Sequence, residues 1–150
     1  MIPIREAINN NLWLQFESNL KDLIFRLKIK SFKPIDLSEV DNPEEIQNNL
    51  EGLWWIMNIE CINLTKQNLY HFTFKRYIQI KDNDSFLFNY NDNKHLSLYS
   101  DFAENSGLRN LYATDLIPKI KYTGALLFFL PDEVDQDYTI ALENGIVYEI

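Results

Sequence analysis

A single cysteine in 150 residues leaves no internal disulfide framework and no zinc site built from several thiolates. The four glycines, Gly52, Gly107, Gly124 and Gly145, are too scattered to form a loop that cradles phosphate. Alanine, the strongest helix former, occurs only five times, which shifts the balance toward strands. Base is also short. Fourteen Lys and Arg face 22 Asp and Glu, a net charge of −8, whereas coating a nucleic acid needs clustered cations. No apolar run approaches the ~20 residues that cross a bilayer, and the longest, Ala125 to Leu130, is strand-sized. The opening Met1-Ile2-Pro3-Ile4-Arg5-Glu6 lacks the basic-then-apolar layout of a secretory signal. These absences lead to the expectation of a soluble, cytoplasmic chain that engages neither nucleic acid nor membrane.

What is present suits a folded β protein. Hydrophobic residues make up 46% and aromatics 14%, which excludes disorder, and ~150 residues suffice for one domain burying roughly 68–70% of its unfolded surface. Seventeen Asn and seventeen Ile are the bias of an AT-rich genome and point to a bacterial or phage source. The dominant period is two. Leu23, Phe25, Leu27 and Ile29 alternate with Ile24, Arg26, Lys28 and Lys30, giving one apolar and one largely basic face. Tyr70, Phe72, Phe74, Ile78 and Ile80 form a second apolar row that Arg76 interrupts, as a bulge or break would. Phe86, Phe88 and Tyr90 form a third. Ala125-Leu126-Leu127-Phe128-Phe129-Leu130 is apolar throughout, the pattern of a central strand covered on both faces.

At the C-terminus, Asn144-Gly145 between Tyr138–Leu142 and Ile146–Ile150 predicts a hairpin. A three-residue loop would pair Leu142 with Ile146, bury Tyr138, Ile140, Leu142, Ile146, Tyr148 and Ile150 together, and set Gly145 left-handed in a bulge. Helical signals are short. Asn42-Pro43-Glu44-Glu45 predicts about two turns ending near Leu50, Asp101 to Glu104 has capping-box spacing, and Ile4–Asn10 suits one more turn. Asp36 to Glu51, with six acids and no base, is expected to be one long acidic loop.

Signatures of chemistry are weak. Asp82-Asn83-Asp84 begins like a calcium loop, but Phe86 falls where an oxygen ligand belongs and the loop glycine is missing, so a turn between strands is expected. His71 and His95 lie 24 positions apart, too few ligands for zinc without carboxylates. Cys61 shares parity with Trp55, Met57 and Ile59 and is expected to be an inert core thiol. No Gly-x-Ser-x-Gly elbow occurs. The sequence therefore predicts no cofactor, no metal and no catalysis. A hydrolase or metal site among Asp82, Asp84, His71 and His95 is the rival enzyme hypothesis.

Trp54-Trp55 is the sharpest binding signal. Adjacent strand residues face opposite ways, so if Trp55 is inward, Trp54, Ile56 and Ile62 face outward. That strip is either covered by loops or by the segment around Trp13, or it is a patch for a partner or a second copy. The acidic loops supply the other candidates: Asp41, Glu44 and Glu45 in one, and Asp132, Glu133 and Asp135 in another.

Four segments carry a resemblance. They are Lys30-Ser31-Phe32-Lys33-Pro34 closing an early strand, Trp55 to Asn63 as a central strand ending in Asn, Phe74 to Phe88 as strand, Asp-rich turn and strand, and Asp115-Leu116-Ile117-Pro118 with Gly124 and Leu126 to Pro131. Over about residues 22–150 the chain resembles a family of small immunoglobulin-like bacterial accessory domains of uncharacterised function, often extracellular or lipoprotein modules. It departs from that pattern at Lys119, where the family commonly has Gly, and in residues 1–21, expected to pack on the domain as an N-terminal extension. The resemblance supplies no catalytic residues. The expectation is a single-domain antiparallel β-sandwich, immunoglobulin-like, of about seven to nine strands and one or two helical turns. Its expected function is non-catalytic binding of a protein, basic by preference, or self-association. The alternative is an acidic immunity or inhibitor protein that occludes a basic toxin or nuclease.

Overall fold

The computed structural model describes residues 2–19, 22–35, 52–72, 77–89, 109–110, 114–133, 135–142 and 144–150, with only the backbone of His71, Arg109, Asn110 and Thr114. The predicted acidic loop and helix of 36–51, the predicted turn after Asp101, Phe74, Tyr90 and His95 lie outside them.

The described residues are mainly β, in a sandwich-like arrangement of three sheets. The chain begins with β1 (Ile2–Pro3) and one helix, α1 (Ile4–Asn9), the turn read from the sequence. Then come β2 (Leu14–Ser18), β3 (Ile24–Pro34), β4 (Leu53–Asn63), β5 (Leu69–Phe72), β6 (Gln79–Lys81) and β7 (Leu87–Asn89). The remainder holds β8 (Arg109–Asn110), β9 (Thr114–Leu116), β10 (Lys121–Leu130), β11 (Thr139–Ala141) and β12 (Gly145–Glu149). Six strands pair in the order β12-β2-β3-β4-β10-β8, four in the order β1-β11-β6-β7, and β5 pairs with β9. Every pairing is antiparallel except β10 with β8. The count exceeds the expected seven to nine because several segments are only two or three residues long, below what periodicity can detect.

The core lies between the sheets. Phe25, Leu27, Met57, Ile59, Phe72, Ile78, Leu126, Phe128, Ile140 and Leu142 all belong to it, with Trp55 and Phe88 packed at its margin, as the alternation predicts. Ala125 to Phe128 are completely buried. A strand covered on both faces cannot hydrogen-bond water, so its backbone groups need partners within the protein; β10 pairs with β4 along ten consecutive positions on one edge and with β8 at Gly124 and Ala125 on the other. A register shift between Ile29 and Ser31 lets β3 change its inward parity from odd to even numbers. Phe32 thereby reaches Phe128, with ring centroids 5.9 Å apart.

Within residues 2–19 of the expected extension, β2 is built into the fold rather than laid on it. β2 sits between β12 and β3 inside the six-stranded sheet, and Phe16 stacks on Phe25 at 4.7 Å. The predicted C-terminal hairpin does not form. β11 pairs with β1 and β6 in one sheet, whereas β12 crosses to the other and pairs with β2. The inward residue of β12 is Val147, opposite Phe16, while Ile146 and Ile150 are half exposed. Hydrophobicity misled the register because Tyr148 is held outward by the polar side chains of β2. The left-handed residue is Asn144, at φ 56°, rather than Gly145. Gly145 is required for another reason: a Cβ there would press on the Glu17 carbonyl oxygen and the Leu142 side chain.

The end of β4 is locked by one buried side chain. The Asn63 amide nitrogen donates to the carbonyls of Gln67, at 3.1 Å, and Leu116, at 3.0 Å, and its Oδ1 accepts from the Thr65 N–H at 2.9 Å. Its backbone carbonyl accepts from the Lys119 N–H at 2.9 Å. Asn63 thus ties the turn after β4 to the turn before β10. Asn63→Ala would strand three backbone groups out of water and should cost about 2–4 kcal/mol, read as a lower urea midpoint at unchanged slope. Lys119 takes φ 65°, a left-handed conformation that costs an L-residue roughly 1–2 kcal/mol. Lys119→Gly should therefore stabilise the chain by about 0.5–1 kcal/mol, since glycine's greater freedom when unfolded offsets part of the gain. A lower urea midpoint for that variant would refute the strain.

Candidate functional site: an acidic groove with an aromatic floor

Of the candidate residues, Trp54 and Ile56 take the covered one of the two outcomes that the sequence left open. They are 2% and 6% exposed, and Ile62 is half-buried. Both faces of β4 are covered near its start. Trp55 packs toward the core and Trp54 tilts against Phe129, at 4.9 Å between centroids. The Trp13 ring lies under the Lys28 ammonium at 4.8 Å. Asp41, Glu44 and Glu45 lie outside the described residues.

Asp132, Glu133 and Asp135 are exposed, and the fold gives them neighbours that the sequence could not show. The loop between β6 and β7 is closed by Asp82, whose Oδ1 accepts from the backbone N–H groups of Asp84 and Phe86, both at 2.9 Å. Its carboxylate is thus spent on its own turn, the role expected of it. Asn83 then joins this loop to the one before β11. Its N–H donates to Gln136 Oε1 at 3.2 Å, its Nδ2 donates to the Asp135 carbonyl at 3.2 Å, and its Oδ1 accepts from the Asp137 N–H. Gln136 donates in turn to Glu133 at 2.8 Å. Asp82, Asp84, Glu133, Asp135 and Asp137, up to 55 positions apart in sequence, are gathered by these bonds at one end of the sandwich.

Beside these loops lies a groove of about 220 Å³ between α1 and the sheets. Phe32, Trp55 and Tyr138 line it, with centroids 4.8 Å apart for Phe32–Trp55 and 6.0 Å for Trp55–Tyr138. Arg5, Ile8 and Asn9 of α1 form the opposite wall, with Gln136 and Asp137 completing the lining. The helix is set by the Ile4 N–H, which donates to the Tyr138 carbonyl at 2.9 Å, and by burial of Ile4 and Ala7. Arg5 reaches across to Asp137 at 3.2 Å. Burial pushes the Tyr138 hydroxyl above its usual pKa, reinforced by the nearby charges of Glu133 and Asp82. Nothing in the sequence marked Arg5, Phe32 or Asp137 as site residues. Only their types carried a signal, because their proximity depends on β1 pairing with β11.

A larger hollow of about 460 Å³ opens among Glu17, Ser18, Asp22, Leu23, Ile24 and Leu64 to Gln67, and two of its polar side chains are engaged within the fold. The Thr65 hydroxyl bonds the N–H and carbonyl of Ile24, and Glu17 accepts from Tyr148 and Gln15. Cys61 is buried at 1% exposure. Among the described residues no three His, Cys, Asp or Glu are grouped to hold a metal ion, and no helix is long and apolar enough to cross a membrane.

The class defined by this geometry is a sandwich-like β fold with a small aromatic-floored groove beside acidic loops. No family model matches the chain, and no curated protein matches it in sequence. Among solved structures it is similar to MPT63, a secreted protein from Mycobacterium tuberculosis, at 11% identity over 92% of each chain and a TM-score of 0.50. It is similar as well to a conserved hypothetical protein from Bacillus anthracis, at 12% identity over 84% of this chain and 87% of that one, with a TM-score of 0.52. At such identities the likeness is one of fold.

The Glu17–Tyr148 pair yields a pH test. Hydrogen bonds from Tyr148, then Gln15, hold the Glu17 carboxyl below its ordinary 4.5, and the same bond raises the Tyr148 hydroxyl above its ordinary 10.0. A lowered acid contributes stability above its unfolded pKa and loses it as pH falls through the folded value. A raised phenol contributes below its unfolded pKa and loses it as pH rises through the folded value. The pair therefore contributes fully between about 4.5 and 10. Tyr148→Phe should move the Glu17 carboxyl up toward 4.5 in an NMR titration; an unchanged midpoint would mean that the bond is absent in solution.

Proposed function

We propose that the protein is a non-catalytic binding module that takes a basic protein partner at its acidic end. The supporting observation is the joining of the Asp82–Phe86 and Asp132–Asp137 loops through Asn83, which concentrates carboxylates beside an aromatic groove. At about 220 Å³ the groove is below the ~300–1,000 Å³ of a typical small-molecule site. A single anchoring side chain at the centre of an interface needs no more than that. Burial of the Cys61 thiol and engagement of Asp82 by its own loop favour binding over catalysis.

The acidic end favours one narrower form of this function, an immunity or inhibitor protein laid over a basic active site. Self-association through Trp54 loses its support, because that indole is covered. Membership of the immunoglobulin-like accessory family is part of the proposal; the Asn63–Pro118 bridge and the left-handed backbone at Lys119, where that family has Gly, support it. So is the cytoplasmic placement: MPT63, which shares the fold, is secreted, and fractionation of cells expressing the chain separates the two.

The test is titration of the purified chain with fluorescent octalysine. The triple variant Asp132→Asn, Glu133→Gln, Asp135→Asn should bind about tenfold more weakly, from exposed carboxylates worth ~0.2–1 kcal/mol each. The wild-type affinity should fall with salt. Equal affinity of the two proteins would sink the proposal.

A further inference from the structure

The geometry points to the Phe32–Trp55–Tyr138 groove as a receptor for one cationic side chain of the partner, with Arg5 as the chain's own competitor for it. This rests on the binding function proposed above and names what the site recognises.

Three observations converge. The floor consists of three aromatic rings within 6.1 Å of one another, and ring faces attract ammonium and guanidinium groups that come within ~6 Å. The charge around it is one-sided. Asp137 lines the groove, Glu133 and Asp82 are close enough to act on the Tyr138 phenol, and Arg5 is the one basic residue in its lining. The third is a buried donor: among the described residues the Trp55 Nε1–H has no acceptor. A buried unmade hydrogen bond is costly, and because this atom is closed to solvent an acceptor reaches it only if the ring shifts when the groove is filled.

Arg5 shows how the site is kept when empty. Its guanidinium meets Asp137 at 3.2 Å, yet 74% of its side chain remains exposed, so the ion pair caps the rim without filling the groove. An exposed pair of this kind is weak and easily displaced. A second, polar hollow of about 320 Å³ shares Arg5, Asn9 and Asp137 with the groove and continues past Pro3 and Glu6. It offers a path for the backbone on either side of an inserted Lys or Arg, which suits a peptide segment better than a free amine.

The experiment follows the indole N–H cross-peak of Trp55 in the nitrogen-15-labelled full chain, assigned by its loss in Trp55→Phe. Arginine amide should move this peak at millimolar concentration, and norleucine amide, of similar length but neutral at the side chain, should leave it in place. Asp137→Asn should weaken the arginine response, and Arg5→Ala should strengthen it by roughly two- to five-fold. Equal shifts from both probes would make the groove a plain apolar pocket and overturn cation recognition. Arg5→Ala binding no more tightly than wild type would overturn the competitor role. A still peak with octalysine bound as above defeats this inference and leaves the wider function standing. A still peak with no octalysine binding defeats both.

Discussion

The fold depends on the ladder between β4 and β10. Ten antiparallel positions join them, and around Ala125–Phe128 the sheet is buried on both faces. Burial on both sides takes the backbone out of contact with water, so each strand must be paired along its length and each end must be closed by a specific group. Asn63 is that group where β4 ends, beside the start of β10. At the opposite end, Gly52 has no room for a Cβ, which would lie 2.8 Å from the Leu130 carbonyl oxygen. Once this ladder is fixed, β3 must bulge after Ile29 to keep Phe32 inward. The position of Phe32 then decides where the aromatic groove lies.

Sequence was most informative where one physical demand acted alone. The unbroken apolar run Ala125–Leu130 meant burial on both faces, and the alternation in β3 meant burial on one; both are found. The turn at Ile4–Asn9 and the inward parity of Met57, Ile59 and Cys61 were legible for the same reason. Reading failed where two demands competed. Ile146, Tyr148 and Ile150 outnumber Val147 in apolar weight, but Tyr148 has a hydroxyl that Glu17 and Gln15 hold on the outer face. Once Tyr148 faces out, the period of two carries both isoleucines with it. At Trp54 the sequence left two outcomes open. Parity says which face a side chain takes, and not whether something else covers that face.

The acidic end was half legible. Composition identified the carboxylates of Asp132–Asp137 and of the Asp82 turn as separate solvated loops, and each loop separately is that. Their union comes from Asn83, whose amide and backbone make three bonds across more than 50 residues of sequence. Such a bond has no periodic signature, because Asn is common in turns for purely local reasons. The groove was hidden for a related cause. Its walls come from α1, β3, β4 and the segment before β11, and only the pairing of β1 with β11 brings the first and last of these together.

The distribution of charge, more than its total, favours recognition at that end. On the outer face of the six-stranded sheet, the cations already have partners. Lys30 and Lys121 both lie 3.6 Å from Glu60, Arg26 donates to Gln15, and Lys28 covers Trp13. Among the described residues lining the groove, by contrast, Arg5 is the one cation and it is paired with Asp137, while Asp84, Asp132, Glu133 and Asp135 in the loops beside it stand exposed. Like charges held together by neutral hydrogen bonds through Asn83 and Gln136 repel one another, and an approaching cation relieves that repulsion. Under the proposed function, such an arrangement would steer a basic partner from a distance and orient it on arrival. The affinity itself must come from what is desolvated, and in this region the surface suited to that is the ring floor of Phe32, Trp55 and Tyr138.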